Sequence, residues 1–143
     1  MIRIAVLDGQ GGGIGAAIVK KLKEVFGERC EVWALGTNAI ATAQMMKARA
    51  NRGATGEPAV AYCAGRVDFI LGPISILLPF AMMGEVTPAM VEAIGRSPAR
   101  KILLPLTQEP LQIVGSSREP LPHLVDSLVQ EYLAPQLESH PEA

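Results

Sequence analysis

The chain has 143 residues, the size of one ordinary domain with a single hydrophobic core. It is 49% hydrophobic, 19% charged and only 4% aromatic, a balance that excludes intrinsic disorder. The formal net charge is −1, from 13 basic and 14 acidic residues, so the composition offers no basic surface for nucleic acid. We therefore expect one domain that is filled by aliphatic side chains and does not bind nucleic acid.

The cysteines and the apolar stretches bear on compartment and membrane contact. Cys30 and Cys63 are not spaced as a metal-binding pair and are predicted to be buried free thiols, with no metal site. The longest uncharged stretch, residues 69–84, is shorter than a membrane span and contains two prolines. Asp8 and a run of glycines interrupt the first apolar segment, unlike a signal peptide. The chain is therefore expected to be cytoplasmic, without membrane contact.

The predicted elements begin with a buried strand over residues 2–7 and an amphipathic helix, whose apolar residues recur at steps of three and four. A second strand over residues 30–35 precedes Asn38, a suitable N-cap for an alanine-rich helix over residues 39–50. Residues 51–56 are predicted to form a loop. The remaining predicted elements are a helix over 57–64, a strand over 67–71, an apolar helix over 76–83, a helix that begins at Thr87 and Pro88, strands over 101–106 and 111–114, and a helix over 121–133.

Strands that alternate with helices indicate βαβ units with parallel strands and right-handed crossovers. The pattern predicts a Rossmann-like α/β three-layer sandwich with strand order 2-1-3-4-5. The last strand, residues 111–114, is expected to fold back antiparallel on the fourth across a four-residue turn. Pro105 and Pro110 indicate that this hairpin lies at the sheet edge, where missing backbone donors cost least. Residues 1–135 are predicted to form the domain, and residues 136–143 a frayed tail.

The turn after the first strand is the part of the sequence that most clearly predicts a ligand-binding site. Five of the seven positions from 9 to 15 are glycine, and an amphipathic helix follows directly. Glycines accept positive φ and expose successive amides, and the first turn of a helix adds unpaired donors and the positive end of its dipole. A phosphate-sized anion fits such a turn. Packing alone requires fewer glycines, so we predict a nucleotide phosphate site.

Ligands of parallel sheets bind beyond the carboxyl ends of the strands, where the strand order reverses. Three turns of small and polar residues, at positions 9–15, 36–38 and 72–75, are expected to meet there. The sequence has no acid at the end of its second strand to bind a ribose diol and no nearby arginine for a 2′-phosphate, which weakens the case for NAD(P) as the cofactor. A mononucleotide, a flavin phosphate and other phosphorylated metabolites stay open. The predicted ligand-binding residues are Asp8, Gly9, Gln10, Gly11, Gly12, Gly13, Ile14, Gly15, Gly36, Thr37, Asn38, Gly72, Pro73, Ile74 and Ser75.

The turn resembles the TGxxxGIG motif of the short-chain dehydrogenases, with Asp8 in place of the threonine. The Tyr-x-x-x-Lys pair of that superfamily is missing, since Arg66 follows Tyr62 and Gln136 follows Tyr132 at that spacing. The whole chain is more similar to an uncharacterised bacterial family of small Rossmann-like proteins, through the segments IAVLDGQGGGIG, ALGTNAIATAQM, GATGEPA, ILGPISI and MGEVTPAM. That resemblance implies the domain and no activity.

The leading hypothesis from the sequence is a nucleotide-binding module whose partner is a phosphate-bearing small molecule. The alternatives are a small NAD(P)- or flavin-dependent oxidoreductase and an interaction protein with a vestigial site. The apolar segment 76–83 suggests a homodimer. Glu57 and Glu85 have no partner in the sequence and are expected to act only on helix-terminus electrostatics.

Overall fold

The computed structural model describes residues 1–116 and 118–142. One sheet of five parallel strands runs through the molecule in the order β3-β2-β1-β4-β5. The strands are β1 (Ile2–Asp8), β2 (Cys30–Gly36), β3 (Arg52–Thr55), β4 (Phe69–Pro73) and β5 (Arg100–Leu104). This is the Rossmann-like α/β sandwich that the alternating pattern predicts.

Helices cover both faces of the sheet. They are α1 (Gly13–Phe26), α2 (Ala39–Lys47), α3 (Glu57–Cys63), α4 (Pro88–Arg96), α5 (Leu121–Ser127) and α6 (Ala134–Glu138). Alternate residues of β1 enter two separate cores, because successive side chains of a strand point to opposite faces. Ile4 and Val6 pack with α1 and α5, whereas Ala5 and Leu7 pack with α3 and α4.

The prediction of an antiparallel last strand is wrong. Residues 111–114 form no strand, and every strand pair in the described sheet is parallel. Beyond β5 the Leu106 amide donates to the Leu104 carbonyl (2.8 Å), a tight turn that ends the pairing before Pro110. The apolar run therefore has no partner, and Val114 is fully exposed.

The sheet has an edge strand that the sequence analysis treated as a loop. β3 pairs with the outer side of β2, and Trp33 lies opposite Arg52 in the register. The strand has only four residues and no alternation of apolar and polar side chains, so hydrophobic periodicity could not identify it. Its stability comes from pairing with a buried neighbour, and Arg52 is held by Glu31 at 3.3 Å.

The predicted apolar helix over residues 76–83 is also wrong. A short 3₁₀ helix, Ile74–Leu77, is followed by a compact loop over residues 79–86, which we call the cover segment. Four of its residues have left-handed backbone angles, which interrupts any helix. They are Phe80 (φ 68°), Met82 (59°), Met83 (56°) and Gly84 (91°).

The chain after α5 stays helical through a wider π turn, Leu128–Leu133, and then α6. Pro135, which has no amide donor, lies in the first turn of α6, directly after the π turn. Leu137 packs in the core, so the ordered domain extends past residue 135, the predicted boundary. Ala143, the last residue of the predicted tail, lies outside the described residues. No helix in the described part of the chain is long and apolar enough to cross a membrane.

Candidate functional site

A cleft of about 600 Å³ opens at the carboxyl ends of β1 and β4, where the strand order reverses. This is the position that parallel sheets use for ligands. Nine of the predicted site residues line it, namely Asp8, Gly9, Gln10, Gly11, Gly12, Gly13, Ile14, Pro73 and Ser75. Of the others, Ile74 lines a neighbouring apolar groove, and Gly72 packs against the carbonyl oxygen of Leu7.

Three glycines of the turn are required by packing. A Cβ atom at Gly12 would lie 2.7 Å from the Ala41 Cα, and Gly12 has a φ of 75°. A Cβ atom at Gly15 would lie 2.6 Å from the Met45 sulfur and 2.8 Å from the Asp8 Cβ. Gly9 is packed against the cover segment, with the Met82 sulfur 2.5 Å from a Cβ at that position. These three glycines therefore have structural explanations.

No packing contact explains the glycines at positions 11 and 13. A Cβ atom at either position would meet nothing within 4 Å, and neither residue has a positive φ. Both residues line the cleft. Their amides donate no hydrogen bond to another residue within 1–116 or 118–142. The turn thus presents two free donors at the start of α1, next to open space.

Asp8 braces the turn from inside. Its side chain accepts hydrogen bonds from the amides of Gly9 (2.8 Å) and Gly15 (2.7 Å), and the residue is only 3% exposed. Burial is the largest influence and raises the pKa of the Asp8 carboxyl, although the amides oppose it and the charge of Glu85 adds to it. The carboxyl therefore fixes the glycine turn on the end of β1.

The sequence analysis expected Glu85 to act only on helix-terminus electrostatics, yet it is the central contact of the site's β2 side. Its Oε1 atom accepts hydrogen bonds from the Gln10 amide (2.8 Å), the Thr37 hydroxyl (2.6 Å) and the Asn38 side-chain amide (2.9 Å). Thr37 and Asn38 are 47 or more residues away in sequence, so no local pattern could reveal the cluster. The proximity of Glu85 to Gly84 was its only local signal.

The ionisation of Glu85 reflects these contacts. Burial opposes its charged form, but the three hydrogen bonds together outweigh burial and hold the pKa of Glu85 below its ordinary value of 4.5. A carboxyl with a lowered pKa stabilises the fold above its unfolded pKa, and that contribution is lost as the pH falls through the folded value.

We expect wild type to unfold at a higher urea concentration than Glu85→Gln at pH 7, because the amide accepts the three hydrogen bonds less strongly. The difference should shrink as the pH is lowered below 4.5, the ordinary Glu85 pKa, since the carboxyl becomes protonated as the pH falls through its lower folded value. Urea titrations at half-unit pH steps measure it. A difference that stays constant down to pH 3 would contradict the assignment.

The opposite wall of the cleft is formed by Ser75, which the sequence analysis predicted, and by Thr107 and Glu109, which it missed. The Ser75 hydroxyl donates to the Thr107 hydroxyl (2.7 Å), which accepts from the Glu109 amide (3.1 Å). The Glu109 carboxylate accepts from the Met82 amide (3.1 Å) and so holds the other side of the cover segment. The charged side chains that line the cleft, Asp8 and Glu109, are both acidic.

The comparisons with known proteins identify a family. No curated protein matches this chain significantly in sequence. Among solved structures, it is similar to a dodecameric FMN-dependent Ubix-like decarboxylase from Escherichia coli O157:H7, with 15% identity, a TM-score of 0.46 and coverage of 100% of this chain and 97% of that chain. It is also similar to a universal stress protein in complex with cAMP, with 18% identity, a TM-score of 0.42 and coverage of 73% of this chain and 98% of that chain.

The expectation of an uncharacterised family is confirmed by a sequence profile that spans residues 3–136. The chain belongs to the family described as a domain of unknown function, DUF3842.

Proposed function

We propose that the protein binds the phosphate group of a nucleotide or another phosphorylated small molecule in the cleft between β1 and β4. One observation carries the proposal: the amides of Gly11 and Gly13 have no acceptor among the described residues, and no packing contact requires glycine at either position. A glycine at each position keeps the amide accessible to an anion. The N-terminal end of the α1 dipole favours negative charge at the same place.

The rest of the cleft suits a ligand that carries hydroxyl groups beside its phosphate. Ser75 and Thr107 offer hydroxyl oxygens, and Glu109 offers a carboxylate that accepts hydrogen bonds. Main-chain amides would hold the phosphate, since the cleft's charged side chains are acids. We therefore infer a binding module for a sugar or nucleoside phosphate.

The test is a thermal unfolding screen with inorganic phosphate, AMP and FMN. A ligand present at about 100 times its Kd stabilises the fold by about 2.7 kcal/mol, which raises Tm by several degrees for a domain of this size. The variant Gly13→Val places a branched side chain over the free amides and should abolish the shift. A Cβ atom at this position meets nothing within 4 Å, so the Tm of the variant without ligand should stay close to that of wild type.

Gly95→Val is the matched control, because a Cβ atom there also meets nothing within 4 Å and the residue lies in α4, away from the cleft. The control should keep the full ligand-induced shift. If none of the three ligands raises the Tm of wild type, or if Gly13→Val and Gly95→Val respond alike, the phosphate site is not at this turn.

A further inference from the structure

The side chains of the turn at the end of β2 donate all their hydrogen bonds within the protein. The Asn38 side-chain oxygen accepts from the Ala41 amide (2.8 Å), and its nitrogen donates to the Gln10 carbonyl (3.0 Å) and to Glu85 (2.9 Å). The Thr37 hydroxyl donates to the same carboxylate. Every side-chain donor that Thr37 and Asn38 could offer a ribose diol is therefore engaged within the protein.

Glu85 stands where an acid from the end of β2 would be expected to bind a ribose in a dinucleotide site. The acid comes instead from the cover segment, and its contacts close the space. Met82 and Glu85 both approach Gly9 so closely that no side chain would fit there. The open cleft lies on the other side of the turn, toward Ser75 and Thr107.

The cover segment is anchored well enough to maintain this closure. Ala81 and Val86 are each 1% exposed, and the Phe80 amide donates to the Val86 carbonyl (2.7 Å). Glu85 fixes one side of the segment to the glycine turn, and Glu109 fixes the other through the Met82 amide. The segment thus separates the β2 side of the sheet edge, where Glu85 binds Thr37 and Asn38, from the open cleft on the β4 side.

We propose that Glu85 determines specificity: it restricts the site to mononucleotides and other single phosphate monoesters and excludes dinucleotides. The inference rests on the proposed phosphate site. A dinucleotide places one nucleoside on each side of the glycine turn, and only the β4 side can receive one. A mononucleotide needs only the free amides of Gly11 and Gly13 and the hydroxyl-lined cleft.

The test uses NAD⁺ and its two halves, AMP and nicotinamide mononucleotide, titrated calorimetrically into the full chain. Wild type should bind at least one half about ten times more tightly than NAD⁺. Glu85→Ala frees Thr37, Asn38 and the Gln10 amide, so the Kd of NAD⁺ should fall at least tenfold while the Kd values of the halves change less than threefold. Glu85→Gln, which keeps the side-chain volume, should give a smaller gain.

Glu57→Ala is the control, since it removes a glutamate from the exposed start of α3. It should leave the ratio of the NAD⁺ and mononucleotide affinities at the wild-type value. Equal affinities of wild type for NAD⁺ and its halves, or an unchanged ratio in Glu85→Ala, would overturn the specificity inference alone. Failure of both wild type and Glu85→Ala to bind any of the three ligands or inorganic phosphate would overturn the phosphate site and this inference together.

Discussion

Replacing Asp8 with alanine should lower the free energy of unfolding by about 3 kcal/mol. The change leaves the Gly9 and Gly15 amides without their acceptor, and a buried unsatisfied donor costs about 1–3 kcal/mol. Relief of the buried charge offsets part of this loss, because burial raises the pKa of Asp8. Equilibrium unfolding in urea measures the difference, and Asp8→Asn, which retains one acceptor, should lose less.

Asp126→Ala is the control for the removal of an aspartate. Its carboxylate pairs with Lys21 at 2.9 Å on the surface, where an ion pair contributes about 0–1 kcal/mol. A loss of stability in Asp8→Ala no larger than that of Asp126→Ala would show that the carboxylate does not hold the turn.

The raised pKa of Asp8 makes the stability of the fold depend on pH in a direction of its own. The folded state binds this proton more tightly than the unfolded state, so the contribution of Asp8 is fully present below its ordinary pKa of 3.8 and is reduced as the pH rises through the folded value. This pH dependence should be absent from Asp8→Asn, and it runs opposite to that of Glu85.

Gly12→Ala should be the other strongly destabilising change, by about 3 kcal/mol. The left-handed backbone at φ 75° costs an alanine about 1–2 kcal/mol, and overpacking against the Ala41 backbone adds about 1–3 kcal/mol. At the neighbouring Gly13, the first residue of α1, an added Cβ atom meets nothing within 4 Å. Gly13→Ala should therefore be neutral or stabilise the fold by up to about 1 kcal/mol.

Thermal and urea unfolding of this pair separate structural from ligand-binding glycines. Gly12→Ala should lose stability with the phosphate ligand present or absent. Gly13→Ala should keep its stability and weaken only ligand binding. If both substitutions destabilised the fold equally, Gly13 would have a structural role, and the argument from its free amide would fail.

Local sequence signals predicted an element correctly where the interactions that define it lie within a few residues of one another. The apolar run of β1 ends in Asp8, and the glycine turn leads into α1 as its pattern predicts. Asn38 caps α2 through the Ala41 amide, and Thr87 caps α4 through the Met90 amide (3.2 Å). Capping and periodicity act within a few residues, so they can be identified from the chain alone.

Elements that depend on distant partners were missed. β3 is a strand only because β2 presents a free edge to it, and residues 111–114 are not a strand because β5 ends at Leu104. The cover segment has the apolar composition of a buried helix, but left-handed residues and contacts through Glu85 and Glu109 shape it. Tertiary context overrode local propensity in each case.

The sequence by itself determined the alternation of strands and helices, the parallel sheet and the position of the glycine turn, because these follow from periodicity, caps and glycine geometry over short distances. Only the tertiary structure decided which amides of that turn stay free. Asp8 engages Gly9 and Gly15 from within the turn, and Glu85 engages Gln10 from 75 residues away. Such pairing depends on chain packing in three dimensions, which no local pattern records.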